Sequence, residues 1–303
     1  MAAIVRVLPF LLLSLYMVVP LARVDWFENH ETTSYLARTV ETVVCWADGD
    51  LRARWFPDFA AGFGLPYLSF YAPLTFWGGA FFHQFGADVP TALKVVIFVA
   101  ALLAMSGAYR LAREATARGP ALAGALLYVY SPYTVRNVYV RGDLAEYLAM
   151  AFLPWALYGL VRAARRPGVT SALIAGAGGA GAILSHNIMG MLVGLAMALT
   201  AIVVFFTTER ARRKLLFPTL TMGGAAALLL SQFFWMPALA EKDWTNLSAL
   251  QEGFFSASQY HLAPSEIFGL RGEPRVHTPG EAEPLGFELR FLPWLALLGL
   301  AAA

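Results

Sequence analysis

Gly64-Leu65-Pro66-Tyr67-Leu68-Ser69-Phe70-Tyr71-Ala72-Pro73-Leu74-Thr75-Phe76-Trp77-Gly78-Gly79-Ala80-Phe81-Phe82-His83-Gln84-Phe85-Gly86 is the stretch whose reading decides the fold. Its length and apolar character suit a membrane span, which needs about 20 residues. Against a span stand Pro66 and Pro73, which break helices, and the many aromatic rings, which anchor at an interface. Charge parity decides. Spans are expected at about 4–22, 90–109, 119–135, 144–161, 169–185, 188–206 and 215–235, with an eighth opening near 291. Three intervening loops are basic: Arg110, Arg113 and Arg118; Arg162, Arg165 and Arg166; Arg210, Arg212, Arg213 and Lys214. Excess arginine and lysine in short loops marks the cytoplasmic side. These loops and Arg6 share that side only if residues 64–86 do not cross. The stretch is therefore expected to be an interfacial or re-entrant element on the outer side.

Composition agrees with a membrane protein. Of 303 residues 58% are hydrophobic and 14% charged, whereas a soluble domain carries about 25% charged residues. The fold class expected is all-α, a polytopic transmembrane helix bundle with a long first outer loop holding interfacial helices. A net charge of +2 excludes a broad nucleic-acid-binding field. The lone Cys45 excludes an internal disulfide and a thiolate metal cage. Arginine outnumbers lysine, and alanine and glycine abound, which points to a GC-rich bacterial source and so to its cytoplasmic (inner) membrane. Pro20-Leu21-Ala22 is a poor signal-cleavage site, so the first span is expected to stay uncut. The expected organisation is a membrane module over 1–235 with an outer loop at 23–89 and the non-spanning element at 64–86. An outer loop or cap follows over 236–290, and a further span begins at 291–303. Because that last run stops in mid-span, the chain is expected to continue in a longer protein.

Polar residues cluster on the outer side in this scheme. Asp25-Trp26-Phe27-Glu28-Asn29-His30-Glu31 follows the first span directly. Asp25 at that junction could take a proton from a hydroxyl or hold a metal, with Glu28 and His30 assisting. Asp25-x-x-Glu28 also has the spacing of a helix capping box. Arg54 and Asp58, set among aromatics, suit a phosphate or a sugar. Tyr71 belongs to a candidate groove wall. In Arg141-Gly142-Asp143-Leu144-Ala145-Glu146 the capping spacing recurs, and Glu146 would face the first turn of a span. A carboxylate there needs a partner, and Arg141 is near enough to supply it. Ser185-His186-Asn187 is either a plain boundary between spans or, if the turn dips inward, part of the same cavity. Gly176-x-Gly178-x-x-Gly181 matches a dinucleotide pattern, but it sits inside a span, follows no strand, and reads as helix packing.

Order and placement of these segments resemble a known family. An acid-bearing outer loop precedes Gly64-Leu65-Pro66 and Phe70-Tyr71-Ala72-Pro73-Leu74. A basic loop and the Arg-Gly-Asp-Leu-Ala-Glu turn follow. Over roughly residues 1–240 this resembles the bacterial multi-pass proteins called 6-pyruvoyl-tetrahydropterin synthase-related. Those in turn resemble the GT-C glycosyltransferase superfamily, with YfhO-like, mannosyltransferase and oligosaccharyltransferase relatives. Nothing in the chain resembles a soluble pterin enzyme. The resemblance implies a GT-C-like fold and a polyprenyl-phosphate sugar donor held beside the lipid bilayer. It also implies transfer to a glycan, lipid or protein acceptor of the cell envelope. Asp25 takes the role of base or metal ligand, with magnesium or manganese as the cation. Arg54, Arg141 and His186 become candidates for the departing phosphate, and Asp58, Asp143, Glu146 and Asn187 complete the substrate contacts. Two rival functions are a transporter or flippase for lipid-linked glycans and a non-catalytic assembly protein. The first calls for polar residues deep in several spans, and the sequence has almost none there.

Overall fold

A computed structural model describes residues 2–23 and 29–246. Asp25 and Glu28 lie outside the described residues, as do the expected span at 291–303 and nearly all of the 236–290 segment. The chain divides into two compact units, Met1–Ala240 and Glu241–Ala303. Of the second, the described part is a short 3-10 turn, Lys242–Trp244.

The first unit is helical, and among the described residues the one strand-like pairing is an isolated bridge between Phe56 and Leu65. Helix α1 (Ala2–Leu15) leads into a 3-10 turn at Val19–Arg23. α2 (Thr32–Ala47) follows, then the short helices α3 (Tyr67–Phe70) and α4 (Leu74–His83). Next come α5 (Val89–Ala112), α6 (Arg118–Val129) and α7 (Pro132–Arg136). A π-helical turn at Asn137–Arg141 feeds α8 (Leu144–Arg165). α9 (Val169–Ser185), α10 (Asn187–Thr207) and α11 (Arg210–Ala240) complete the bundle. Four of these, α5, α8, α10 and α11, are long and apolar enough to cross a membrane. α10 and α11 leave Met191, Leu195, Ile202, Phe206, Leu215 and Leu229 exposed, as lipid-facing helices do.

Residues 64–86 fold as α3 and α4, broken at Tyr71-Ala72-Pro73. α4 has 10 residues, about 15 Å of helix, half the thickness of a bilayer core. Two expected spans are shorter than their apolar runs. The run at 119–135 is split into α6 and α7 because Pro132 disfavours helix at Ser131, which instead caps α7 by accepting from the Thr134 amide at 3.3 Å. The run at 4–22 is α-helical only as far as Leu15, with Pro9 inside, before its geometry tightens at Val19–Arg23.

The glycine pattern in α9 is explained by packing. A Cβ on Gly178 would come within 2.4 Å of the Ala156 backbone in α8, and one on Gly176 within 2.5 Å of Ala226 in α11. Small residues let these three helices touch along their backbones, as is usual in membrane bundles.

A carboxylate and arginine site at the start of α8

The site is built where the end of the first loop docks on the π-turn. Asn29 lies just ahead of α2, and its Oδ1 accepts from the amides of Thr32 at 2.8 Å and Glu31 at 3.2 Å. The His30 amide donates to the Val140 carbonyl at 3.2 Å. Gly142 ends the π-turn at φ 75°, the left-handed region that glycine enters without a Cβ penalty. A Cβ there would also lie 1.9 Å from Asn29 Oδ1. Chain reversal and close approach therefore both require this glycine.

Beyond Gly142, Asp143 caps α8 through Oδ1, which accepts from the Glu146 amide at 2.9 Å and from the Tyr35 hydroxyl at 2.8 Å. Its Oδ2 lies 3.3 Å from Arg141 Nη2 and 3.6 Å from His186 Nε2. Glu146 does not complete the capping box. Its carboxylate turns to Arg141, with Oε2 to Nη1 at 2.7 Å, and accepts from the Tyr133 hydroxyl through Oε1. Both carboxylates are buried. The N-terminus of α8 favours them, since the helix dipole is positive there. His186 caps α10, its Nδ1 accepting from the Met189 amide at 3.2 Å, which turns Nε2 toward Asp143.

α2 supplies the third side. Glu31, Tyr35 and Arg38 recur at i, i+4 and i+7, one stripe of a helix. The Tyr35 hydroxyl accepts from the Ala145 amide at 3.1 Å and lies 3.5 Å from the Tyr71 hydroxyl. Arg38 stacks on the rings of Tyr67 at 4.6 Å and Tyr71 at 5.2 Å. Its Nη1 is buried with no hydrogen-bond partner among the described residues.

Electrostatics separate the acids. Burial raises the Glu31 carboxyl above its ordinary range, and the Asp143 charge raises it further against the pull of Arg38 and Arg141. Burial also pushes Asp143 up, but the bonds from His186, the Glu146 amide and Tyr35 outweigh it and hold the group at about 2. Burial and then Asp143 lift the Tyr71 hydroxyl to about 12. Neighbouring carboxyls pushed in opposite directions are the usual mark of divided acid and base roles.

Of the residues singled out in the sequence, Tyr71, Arg141, Asp143, Glu146 and His186 meet here. Asn187 bonds to the backbone of the α3–α4 break. It accepts from the Ala72 amide at 3.1 Å and donates to the Phe70 carbonyl at 2.7 Å, fastening the α3–α4 break to α10. Arg54 lines a small crevice with Arg52, Leu68, Ser69 and Trp77. Asp58 is exposed, and its amide donates to Glu41 Oε2 at 3.2 Å. His30 is exposed. Sequence reasoning missed Glu31, Tyr35, Arg38 and Tyr133 as site residues. The spacing of the first three was a usable signal, hidden because residues 23–89 were read as loop.

Ligand atoms of Asp143, Glu146 and His186 lie within 4.8 Å of one another. Two carboxylate oxygens and an imidazole nitrogen at that spacing could hold a divalent cation. Arg141 now bridges the two carboxylates, so a cation would displace its guanidinium. The expected ligand Asp25 lies outside the described residues.

A helical bundle with four helices able to span a bilayer, and a buried acid–arginine site at one end, defines a polytopic membrane protein. The chain belongs to the family described as 6-pyruvoyl-tetrahydropterin synthase related domain; membrane protein, whose model matches residues 68–255. The matched region includes Tyr71, Arg141, Asp143, Glu146 and His186, and begins after α2. No curated protein and no solved structure matches the chain.

Proposed function

We propose that this membrane protein is a GT-C-type glycosyltransferase that moves a sugar from a polyprenyl-phosphate donor to a cell-envelope acceptor on the outer face. The observation that supports it is convergence. Glu31, Asp143 and Glu146 meet Arg141 and His186 at the starts of α2, α8 and α10. Sugar transfer needs both kinds of group. A carboxylate, Asp25 or Glu31, takes the proton of the acceptor hydroxyl as its oxygen bonds to the anomeric carbon. The bond from that carbon to the phosphate breaks, and Arg141, Arg38 and His186 stabilise the charge left on the phosphate. A divalent cation on Asp143, Glu146 and His186 would neutralise part of the same charge. Room for a prenyl tail supports the reading. An apolar groove of about 620 Å³, lined by Ile183, Gly190, Met197, Phe205, Leu220 and Leu228, runs between α9, α10 and α11. Its Ile183 and Gly190 flank His186 in sequence.

The test is mass spectrometry of envelope glycans and lipids from cells lacking the protein, complemented with wild type, Asp25→Asn, Glu31→Gln or Asp143→Asn. One glycan or glycolipid should lose a sugar in the deletion and regain it with wild type alone. Full restoration by variants that elute and melt like wild type would remove those carboxylates from the mechanism. An unchanged glycan and lipid profile in the deletion would remove the transferase reading.

A further inference from the structure

A second cavity, of about 830 Å³, opens at the other end of α5 and α8, lined by α1, α5, α6 and α8. Its walls are apolar and built. Phe10 packs edge-to-face on Tyr109 at 5.0 Å, and Trp155 donates from Nε1 to the Leu103 carbonyl at 2.9 Å. Trp155 is seated so closely that a Cβ on Gly107 would lie 2.6 Å from its ring. The rim is basic. Arg110, Arg113 and Arg118 line it, and all are exposed. Arg110 sits over the Trp155 ring at 5.5 Å. Glu114 is the one acid among the lining residues, and Arg165 outside the cavity engages it at 3.2 Å. Arg118 opens α6, where the positive end of the helix dipole adds to its own charge.

A cavity with an apolar floor and a rim of guanidinium groups has the profile of a lipid with a negative head. Its position matters too. Arg110 and Arg113 lie at the end of α5, a helix able to cross a membrane, and Arg118 opens α6 just after it, on the side that the basic loops mark as cytoplasmic. Guanidinium groups bind phosphate through paired N–H donors, and basic pockets at this level between membrane helices select anionic headgroups. We propose that this crevice binds an anionic phospholipid of the cytoplasmic leaflet. Arg110, Arg113 and Arg118 hold its phosphate, and one acyl chain lies along Phe10, Leu102 and Trp155. The site is independent of the carboxylate cluster and stands whether or not the chain is a transferase. A free phosphate would have no use for the apolar floor, which is why the lipid is the occupant.

Native mass spectrometry of the full chain in an uncharged detergent tests it, with phosphatidylglycerol and phosphatidylcholine of identical chains as probes. Phosphatidylglycerol should be retained and phosphatidylcholine lost. The variant R110Q/R113Q/R118Q should weaken phosphatidylglycerol retention roughly a hundredfold, since each basic residue near such a head contributes about a factor of five. R210Q/R212Q/K214Q, on another basic loop, should leave retention unchanged. Equal retention of both lipids, or equal losses in the two triple variants, would overturn the site. Displacement of the lipid by inorganic phosphate at matched concentration would overturn the lipid in favour of a soluble anion. Should the triple variant not survive purification, Arg118→Gln alone should still cost about fivefold, and no change there overturns the proposal.

Discussion

Helix α8 carries an arginine–glutamate pair at each end, and the two are different devices. At its start Glu146, 6% exposed, meets Arg141, 35% exposed, at 2.7 Å. At its end Arg165, 68% exposed, meets Glu114, 22% exposed, at 3.2 Å. Both agree with the helix dipole, acid at the positive end and base at the negative end. What separates them is water. The first pair is knitted into Asp143, Tyr133 and Tyr35, so each group depends on the others for its hydrogen bonds. The second joins the end of α8 to the loop after α5, where solvent could replace it. The same two residue types thus mark a built site at one end and a topological label at the other. Burial, more than composition, decides which is which.

Removing Arg141 should show the largest effect. Arg141→Ala leaves Asp143 and Glu146 buried without their cation, a loss of about 3–5 kcal/mol for a broken buried pair. Unfolding in detergent, followed by circular dichroism, measures it. The triple variant Arg141→Met, Asp143→Asn, Glu146→Gln should recover most of that stability while remaining without function. A loss below about 1 kcal/mol in Arg141→Ala would mean water fills in for the arginine, and the contrast between the two ends of α8 would collapse.

Next in size is Gly142→Ala. Positive φ and contact with Asn29 act together, for about 1–3 kcal/mol. Asn29→Ala in the same chain should return the part due to contact and leave the part due to φ. Such a cycle measures how firmly the first loop is held on the π-turn, and hence how well Glu31 is placed.

Much of this architecture was legible in the sequence, and the failures have physical causes. Apolar runs located the helices able to span, because burial in lipid imposes one simple rule. Pro66 and Pro73 marked residues 64–86 as a stretch that one continuous helix would not fill, and it divides into the short helices α3 and α4. Glu146 and Arg141 announced their pairing because a carboxylate in a span's first turn needs a cation. Arg38 did not announce itself. Its role depends on the rings of Tyr67 and Tyr71, well separated from it along the chain, and on a helix in what reads as a loop. The joining of Asn187 to Phe70 and Ala72, far apart in sequence, is likewise a tertiary fact with no local trace.

His186 offers a smaller and more discriminating test. It caps α10 with one ring nitrogen and faces Asp143 with the other. His186→Ala should cost about 1 kcal/mol for the lost cap. His186→Asn should keep the cap and hence the stability, since asparagine is a good N-cap residue. Both should lose function if Nε2 contacts the substrate or a cation. Activity retained by His186→Asn would confine the residue to holding α10 in place and leave the carboxylates and Arg141 to act without it.

The smallest effect should come from Arg165→Gln, and it completes the comparison. An exposed pair gains little Coulomb energy in water, must hold two long side chains in one geometry, and is screened by salt, so its loss should cost less than about 1 kcal/mol. Unfolding of this variant should track wild type, with any difference vanishing in high salt. Yet Glu114 would then be released beside Arg110, Arg113 and Arg118, lowering the net charge at the rim of the inner cavity. Retention of phosphatidylglycerol should therefore weaken by a few fold while stability holds. If stability falls as far as it does in Arg141→Ala, the outer end of α8 is not special, and burial was the wrong variable.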